Sequence, residues 1–268
     1  MKTVLLLLHD DKGQEARLQA ALDLARALDG HLNCLDVTRY PVPDGFLGPD
    51  IQVALAEEER ARETANAERI VQRLAIEDVP WSMTSMTGEL ADCVIAASGL
   101  SDVIVVNRKL DVGDTVGMLS TASTIALKTH KPVVAVSEQC RAFQAAGHAV
   151  VAWDGSQPAM AALTACVPLL ARARTVNLVE IQGDEPGTVH QAAAYLSRHD
   201  IHVEVDLIAR PAEGGGAIAD ILKQVCANQG AAYCVMGAYG HSPVREALFG
   251  GVTRTMLSTS DIPLVLVH

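Results

Sequence analysis

The sequence predicts an α/β protein made of two tandem, doubly wound units, each with a five-stranded parallel sheet. Short apolar runs alternate with segments of helical periodicity along the whole chain, which is typical of parallel strands connected by helices. The pattern restarts after residue 147, so the second half repeats the first. The length of 268 residues is sufficient for two domains of about 130 residues each.

The first unit is predicted over residues 1–138. Its strands are the apolar or alternating segments 4–8, 31–37, 81–87, 102–106 and 132–137. Its helices are predicted at 18–28, 51–76, 89–98 and 120–129. Residues 39–50 contain three prolines and two glycines and are predicted as a loop. The charged run 57–60 in the long helix is interpreted as a solvated face, and the role of this additional helix stays open.

The second unit is predicted over residues 147–268, after a polar linker at 138–147. Its strands are predicted at 148–153, 176–181, 202–208, 231–236 and 263–267, and its first three helices at 159–171, 187–198 and 217–227. The last strands of the two units are expected at sheet edges, which need a partner. We therefore expect another element to cover each of these edges.

The composition excludes several classes of protein. Apolar residues make up 49% and aromatic residues 3%, so the cores are aliphatic. The net charge of −11, without a basic stripe, argues against nucleic acid as a partner. Six cysteines without a Cys-x-x-Cys pair indicate reduced thiols of a cytoplasmic protein. The apolar run at 4–8 is too short for a signal peptide, and no stretch is long enough for a membrane helix.

The segment 235–257 is the most informative stretch of the chain. An apolar strand leads into Gly237, Gly240 follows after two residues, and Gly250 follows after nine more. Glycines allow the backbone to approach a ligand closely, and the free N–H groups at a helix start suit phosphate. The loop lacks the Gly-Lys-Ser/Thr of a Walker A motif, and its glycine spacing differs from the dinucleotide fingerprint.

The two halves differ where this loop lies. When the segment 106–127 is aligned with 236–257, the three glycines correspond to Asn107, Leu110 and Ser120 in the first half. A branched leucine obstructs both positive φ and close ligand approach. We expect the first half to have lost the phosphate cradle, or to hold something else there. Ser120 can cap the helix that follows it.

Both halves resemble universal stress protein domains over nearly the whole chain. The strongest matches are the segment 150–156, VVAWDGS, and the 237–253 loop, which follows the family pattern Gly-x2-Gly-x9-Gly. Gly251 stands where the family usually has Ser or Thr. The resemblance implies a Rossmann-like fold of the adenine nucleotide alpha hydrolase type, a stress-response or signalling role, and ATP or AMP as ligand, with or without Mg²⁺. Domains of this family commonly pair through their last strand, so the resemblance also implies an internal pseudo-dimer of the two halves, with a homodimer as a further option.

The resemblance also implies a set of binding residues in the second half. Asp154 would accept hydrogen bonds from the ribose hydroxyls, with Gly155 and Ser156 at the helix start beside it. The backbone at Val179 would meet the adenine edge, and Met236 would pack near the nucleoside. The residues implied around the phosphates are Gly237, Gly240, Gly250, Gly251, Val252 and Thr253, the last with its hydroxyl as an additional donor.

Three functions stay open at this point. A nucleotide-binding module is the first, because no general base, paired carboxylates or dedicated lysine accompany the motif, and neither catalytic residues nor a metal site are expected. A slow Mg²⁺-dependent ATPase and a nucleotide-free dimerisation scaffold are the alternatives. Asp154 could also be only a helix N-cap. His241 is interpreted as a solvated loop residue, and the spacing of His199 and His202 does not predict a metal site.

Overall fold

The computed structural model describes residues 1–39, 48–108, 120–182, 188–209, 215–240 and 251–268. The strands of the first half are β1 (Thr3–Leu8), β2 (His31–Thr38), β3 (Trp81–Thr87), β4 (Val103–Asn107) and β5 (Val133–Val136). Its helices are α1 (Gln14–Ala27), α2 (Pro49–Leu74), α3 (Leu90–Ala97) and α4 (Thr121–Thr129). Helix α2 begins at a proline, which suits the first turn because the N–H it lacks would have no helical partner.

The second half repeats this alternation. Its strands are β6 (His148–Trp153), β7 (Thr175–Gln182), β8 (Val203–Ala209), β9 (Tyr233–Gly237) and β10 (Leu264–Val267). Its helices are α5 (Gln157–Ala165), α6 (Val167–Leu170), α7 (Val189–Ser197), α8 (Gly215–Asn228) and α9 (Val252–Thr259). The predicted helix 159–171 is divided at Cys166 because Pro168 has no N–H for Thr164 and its ring crowds that carbonyl.

All ten of these strands form one sheet in the order β3-β2-β1-β4-β5-β10-β9-β6-β7-β8. Neighbouring strands are parallel within each half. The halves meet where β5 pairs antiparallel with β10, with Val134 opposite Val265. The strands 132–137 and 263–267, expected at edges, are therefore central, and each covers the other.

Helices cover both faces of the sheet, as in a doubly wound fold. One buried cluster joins the sheet to α1, α2, α5, α6 and α7, and a second joins it to α3, α4, α8 and α9. Both clusters contain residues of both halves. The linker also packs into the first cluster, because Phe143 is buried and its ring stacks on Tyr233 with 5.1 Å between centroids. The two units therefore share their hydrophobic cores.

Within the described ranges, no helix is both long enough and apolar enough to cross a membrane.

Candidate functional site

The candidate site of the second half lies where the strand order reverses. Strands β6 and β9 are parallel neighbours, with Ala152 opposite Met236, and their connecting helices lie on opposite faces of the sheet. Open α/β sheets bind ligands at the carboxyl ends of the strands at such a point. Asp154 directly follows β6, and Gly237 is the last residue of β9. The fold thus brings the two predicted motifs to one crevice.

The turn after β6 presents Asp154 to the crevice. Its Oδ1 accepts a hydrogen bond of 3.0 Å from the backbone N–H of Ser156. The Oγ of Ser156 in turn accepts from the N–H of Ala159 and is the N-cap of α5. Gly155 adopts φ = +71°, a conformation that favours glycine. Ser156, and not Asp154, therefore caps the helix, and the Asp154 side chain lies exposed at the sheet edge.

Gly237 and Gly240 serve different purposes. A Cβ on Gly237 would lie 2.5 Å from the backbone N of Ala159, so this glycine is required by the packing of β9 against α5. A Cβ on Gly240 would lie 3.1 Å from Ser156 Oγ and 3.7 Å from Asp154 Oδ2. Gly240 is itself exposed. The loop after β9 therefore lies directly beside the Asp154 turn, and the missing side chain at 240 keeps the surface between them open.

The helix after the loop begins at the predicted position. Gly251 is the N-cap of α9, and Val252 is its first residue. Thr253 is buried, and its Oγ1 accepts a hydrogen bond of 3.3 Å from the N–H of Tyr239. The Thr253 hydroxyl thus holds the loop in place, while its backbone N–H lies in the first turn of α9. Gly250 and His241 lie outside the described residues. Met236 belongs to the buried cluster that joins the sheet to α3, α4, α8 and α9.

Val179 lies inside the sheet and not at its edge. It is opposite Ala152 of β6 and Asp206 of β8, and its side chain is buried. The pairing with β6 ends at Glu180, whereas the pairing with β8 continues through Ile181 to Gln182. Ile181 is therefore the first residue of β7 that extends past β6 on the crevice side.

Glu180 is a carboxylate of this site that the sequence interpretation does not include. It is 6% exposed, and its Oε2 has no hydrogen-bond partner among the described residues. Burial raises the pKa of Glu180, and the neighbouring charge of Asp154 raises it further. The available signal was its position, since it is a charged residue near the end of an apolar strand and aligns with Asp36 in the repeat.

The corresponding crevice of the first half is filled by its own side chains. Arg17 is fully buried and donates hydrogen bonds to the carbonyl oxygens of Leu7 and His9, each at 3.0 Å. It also bonds the Asp11 carboxylate at 2.9 Å and Oδ1 of Asn107. Asn107 stands where the second half has Gly237. The first half has therefore replaced the open cradle with a closed polar network.

Two small residues adapt the first half to this network. A Cβ on Gly13 would lie 2.4 Å from Oδ1 of Asn107, so the glycine makes room for the asparagine at the start of α1. Ser120 caps α4, because its Oγ accepts a hydrogen bond of 3.2 Å from the N–H of Ser123. The capping role of Ser120 is confirmed. Leu110 lies outside the described residues.

Comparison with solved structures identifies the fold. A universal stress protein from Archaeoglobus fulgidus matches with a TM-score of 0.76 and 15% identity, covering 99% of this chain and 95% of that one. A Pseudomonas aeruginosa protein of unknown function matches with a TM-score of 0.63 and 14% identity, covering 100% and 92%. No protein-family model and no curated protein sequence matches the chain. The chain therefore has the two-unit fold of these proteins, as its sequence predicts.

Proposed function

We propose that this chain is a tandem universal stress protein whose second half binds one adenine nucleotide, ATP or AMP, as a cytoplasmic stress-response or signalling module. The observation that carries the proposal is the contact between Gly240 and the turn at Asp154 and Ser156. It joins the two motifs of the resemblance in one open crevice. The first half lacks this opening, because Arg17 and Asn107 fill it.

Each part of the crevice has a role in this proposal. The exposed carboxylate of Asp154 accepts hydrogen bonds from the ribose hydroxyls, which are donors. The backbone of Ile181, which lies beyond the β6 pairing, takes the adenine contact that the sequence assigns to Val179. The phosphates lie over Gly240 and the N-terminus of α9, where the backbone N–H groups of Val252 and Thr253 and the helix dipole favour negative charge. When bound, Mg²⁺ is held by the phosphates.

The proposal describes a binding module and assigns no catalytic residue. Glu180 and Asp154 are the carboxylates of the described part of the crevice, and the pKa of Glu180 is raised by burial. Oε2 of Glu180 has no hydrogen-bond partner among the described residues, and it would accept a hydrogen bond from an N–H or a hydroxyl of the ligand. Nucleotide binding would change how the protein meets a partner, through the start of the loop after β9, which packs against the first half.

The test combines identification of the ligand with a matched pair of variants. The purified protein is denatured and the released small molecules are identified by mass spectrometry, and ATP and AMP are titrated by calorimetry. We expect one adenine nucleotide per chain. Gly240→Val should weaken binding by roughly tenfold or more, about 1.4 kcal/mol, because its side chain meets Ser156. Gly99→Val is the control, since a Cβ there has no neighbour within 4 Å.

Three outcomes would contradict the proposal in different ways. The absence of both released nucleotide and binding heat would leave the dimerisation scaffold as the function. Two nucleotides per chain would show that the Arg17 network opens. Turnover of ATP that is lost in Glu180→Gln while binding persists would favour the ATPase.

A further inference from the structure

Helix α2 has the place of α7 in the repeat but is 26 residues long instead of 9, and it brings acidic side chains to the end of β1. Glu59 and Glu63 are one turn apart and therefore lie on the same face of the helix. Glu63 is fully buried and Glu59 is half-buried, whereas Glu57 and Glu58 are exposed. The charged helix is thus solvated over most of the run 57–60, but it also directs carboxylates inward.

These carboxylates meet a histidine. His9 directly follows β1 and is 6% exposed, and its Nδ1 lies 2.6 Å from Oε1 of Glu63. Single ligand atoms of His9, Glu59 and Glu63 all lie within 4.8 Å of one another. One imidazole nitrogen and two carboxylate oxygens match the donor set of a divalent transition-metal ion, and at this spacing they converge on one ion once the hydrogen bond between His9 and Glu63 opens.

A buried carboxylate with one unpartnered oxygen among the described residues faces the same place. Asp36 is 6% exposed, and its Oδ1 has no hydrogen-bond partner in the part of the chain that the structure describes. It lies opposite Leu8 in the β1–β2 pairing and alternates with Leu32 and Cys34, whose side chains pack in the cluster that contains α2. Its side chain therefore points to the face of the sheet that α2 covers, beside the end of β1. A cation there would neutralise two adjacent buried carboxylates, Asp36 and Glu63.

We propose that His9, Glu59 and Glu63, with Asp36 behind them, form a binding site for one divalent transition-metal ion of the Zn²⁺ class. The site lies at the carboxyl ends of β1 and β2, which correspond to β6 and β7 beside the nucleotide crevice of the second half. On binding, the ion takes the place of the hydrogen bond between Nδ1 of His9 and Oε1 of Glu63. Arg62, which is 50% exposed and lies 2.8 Å from Glu59, moves away into solvent.

The surroundings already hold these ligands in place. The backbone N–H of Asp10 donates to both oxygens of Glu63 at 3.2 Å. The side chains of Gln14 and Asn66 exchange hydrogen bonds of 2.7 and 2.8 Å beside them and thereby tie α1 to α2. Supporting hydrogen bonds of this kind orient metal ligands and raise affinity. The metal site gives α2 a function in the half that has lost the open cradle.

The experiment titrates Co²⁺ and Zn²⁺ into nucleotide-free, chelator-treated full-length protein. We expect one ion per chain, with visible Co²⁺ absorption bands of a low-symmetry site and displacement of Co²⁺ by Zn²⁺. Glu59→Gln and Glu63→Gln should each weaken binding by about tenfold or more. Glu58→Gln, an exposed change on the same helix, should leave it unaltered.

Two results would overturn the proposal. The first is the absence of Co²⁺ bands at stoichiometric metal, which would mean that His9 and Glu63 form only a buried hydrogen bond. The second is equal affinity of wild type, Glu59→Gln and Glu63→Gln, which would place the ion on other histidines. If Glu63→Gln fails to fold, Glu59→Gln decides, since Glu59 is half-exposed. Because nucleotide is absent, the outcome is independent of the site in the second half.

Discussion

The hydroxyl of Tyr239 donates a hydrogen bond of 2.6 Å to Oγ of Ser123, across the junction between the two halves. The backbone N–H of Tyr239 donates to Oγ1 of Thr253 in its own half. Ser123 and Thr253 occupy equivalent positions of the repeat, each in the first turn of the helix that precedes the last strand. One residue of the candidate phosphate loop therefore connects the two corresponding helices, and the loop is anchored in the first half.

Removal of this hydroxyl should loosen the junction. Tyr239→Phe leaves a buried serine with one hydrogen bond fewer, and we expect the free energy of unfolding to fall by about 1 kcal/mol. Urea denaturation measures the change, with Tyr195→Phe on the surface of α7 as the control. Equal stability of the two variants would show that the junction does not depend on this bond.

Gly237 should tolerate no side chain. Gly237→Ala places a Cβ 2.5 Å from the backbone N of Ala159 and 2.7 Å from the carbonyl carbon of Pro158, and backbone atoms cannot move aside as a flexible side chain can. We expect a loss of about 1–3 kcal/mol in unfolding free energy. Gly99→Ala, in open space, should change it by less than about 0.5 kcal/mol. A similar small effect at both positions would contradict the packing of β9 against α5.

Arg17 should be a main stabilising residue of the first half. Arg17→Met removes the donors that satisfy Asp11, Asn107 and two backbone carbonyls. Loss of one partner from a buried ionic network typically destabilises by about 3–5 kcal/mol. Chemical denaturation should show this loss, and Arg60→Met on the exposed face of α2 should not. A loss no larger than that of the control would mean that the network is not essential.

Glu180 should reduce the stability of the nucleotide-free protein. Burial raises the pKa of Glu180 in the folded state, so folding opposes its ionisation, and this unfavourable contribution grows as the pH rises above the unfolded value of about 4.3. Glu180→Gln should therefore increase stability at neutral pH, and chemical denaturation measures the gain. The gain should disappear below about pH 4. Reduced stability of the variant at neutral pH would contradict this assignment.

Asp102 should stabilise the folded protein at neutral pH, whereas Glu180 destabilises it. Burial alone would raise the pKa of Asp102, but the backbone N–H groups of Lys2 and Thr3 donate to its carboxylate and lower it overall. Its stabilisation is thus present above the unfolded pKa of about 3.9 and is lost as the pH falls through the folded pKa. Asp102→Asn should reduce stability at neutral pH by at most about 1 kcal/mol, because the residue is exposed and solvent screens it.

The pH series distinguishes this contribution from a simple loss of contacts. Wild type and Asp102→Asn should converge in stability at acid pH, whereas Asp92→Asn, whose partner Lys128 is 3.8 Å away on the surface, should show little difference at any pH. A difference that persists unchanged into acid would rule out the charge of Asp102 as its source.

The sequence alone determined the alternation of strands and helices, the repeat and the glycine motif. These are local properties, since a strand buried on both faces needs a continuous apolar run and a close backbone approach needs glycine. The structure confirms the two-unit α/β fold, and the predicted strands agree with the observed ones to within a few residues. The predicted helix 159–171 is the exception, since it is divided at Cys166. This division is also a local effect, which the missing N–H of Pro168 would have predicted.

Only the tertiary structure decided what each motif faces. Whether Thr253 offers its hydroxyl to a ligand depends on Tyr239, and the position of Ile181 depends on where β6 ends. The filling of the first crevice by Arg17 and the meeting of His9 with Glu63 join residues that are distant along the chain. Such contacts leave no periodic signal in one sequence, because they arise from the packing of helices over strand ends and not from the local preference of either segment.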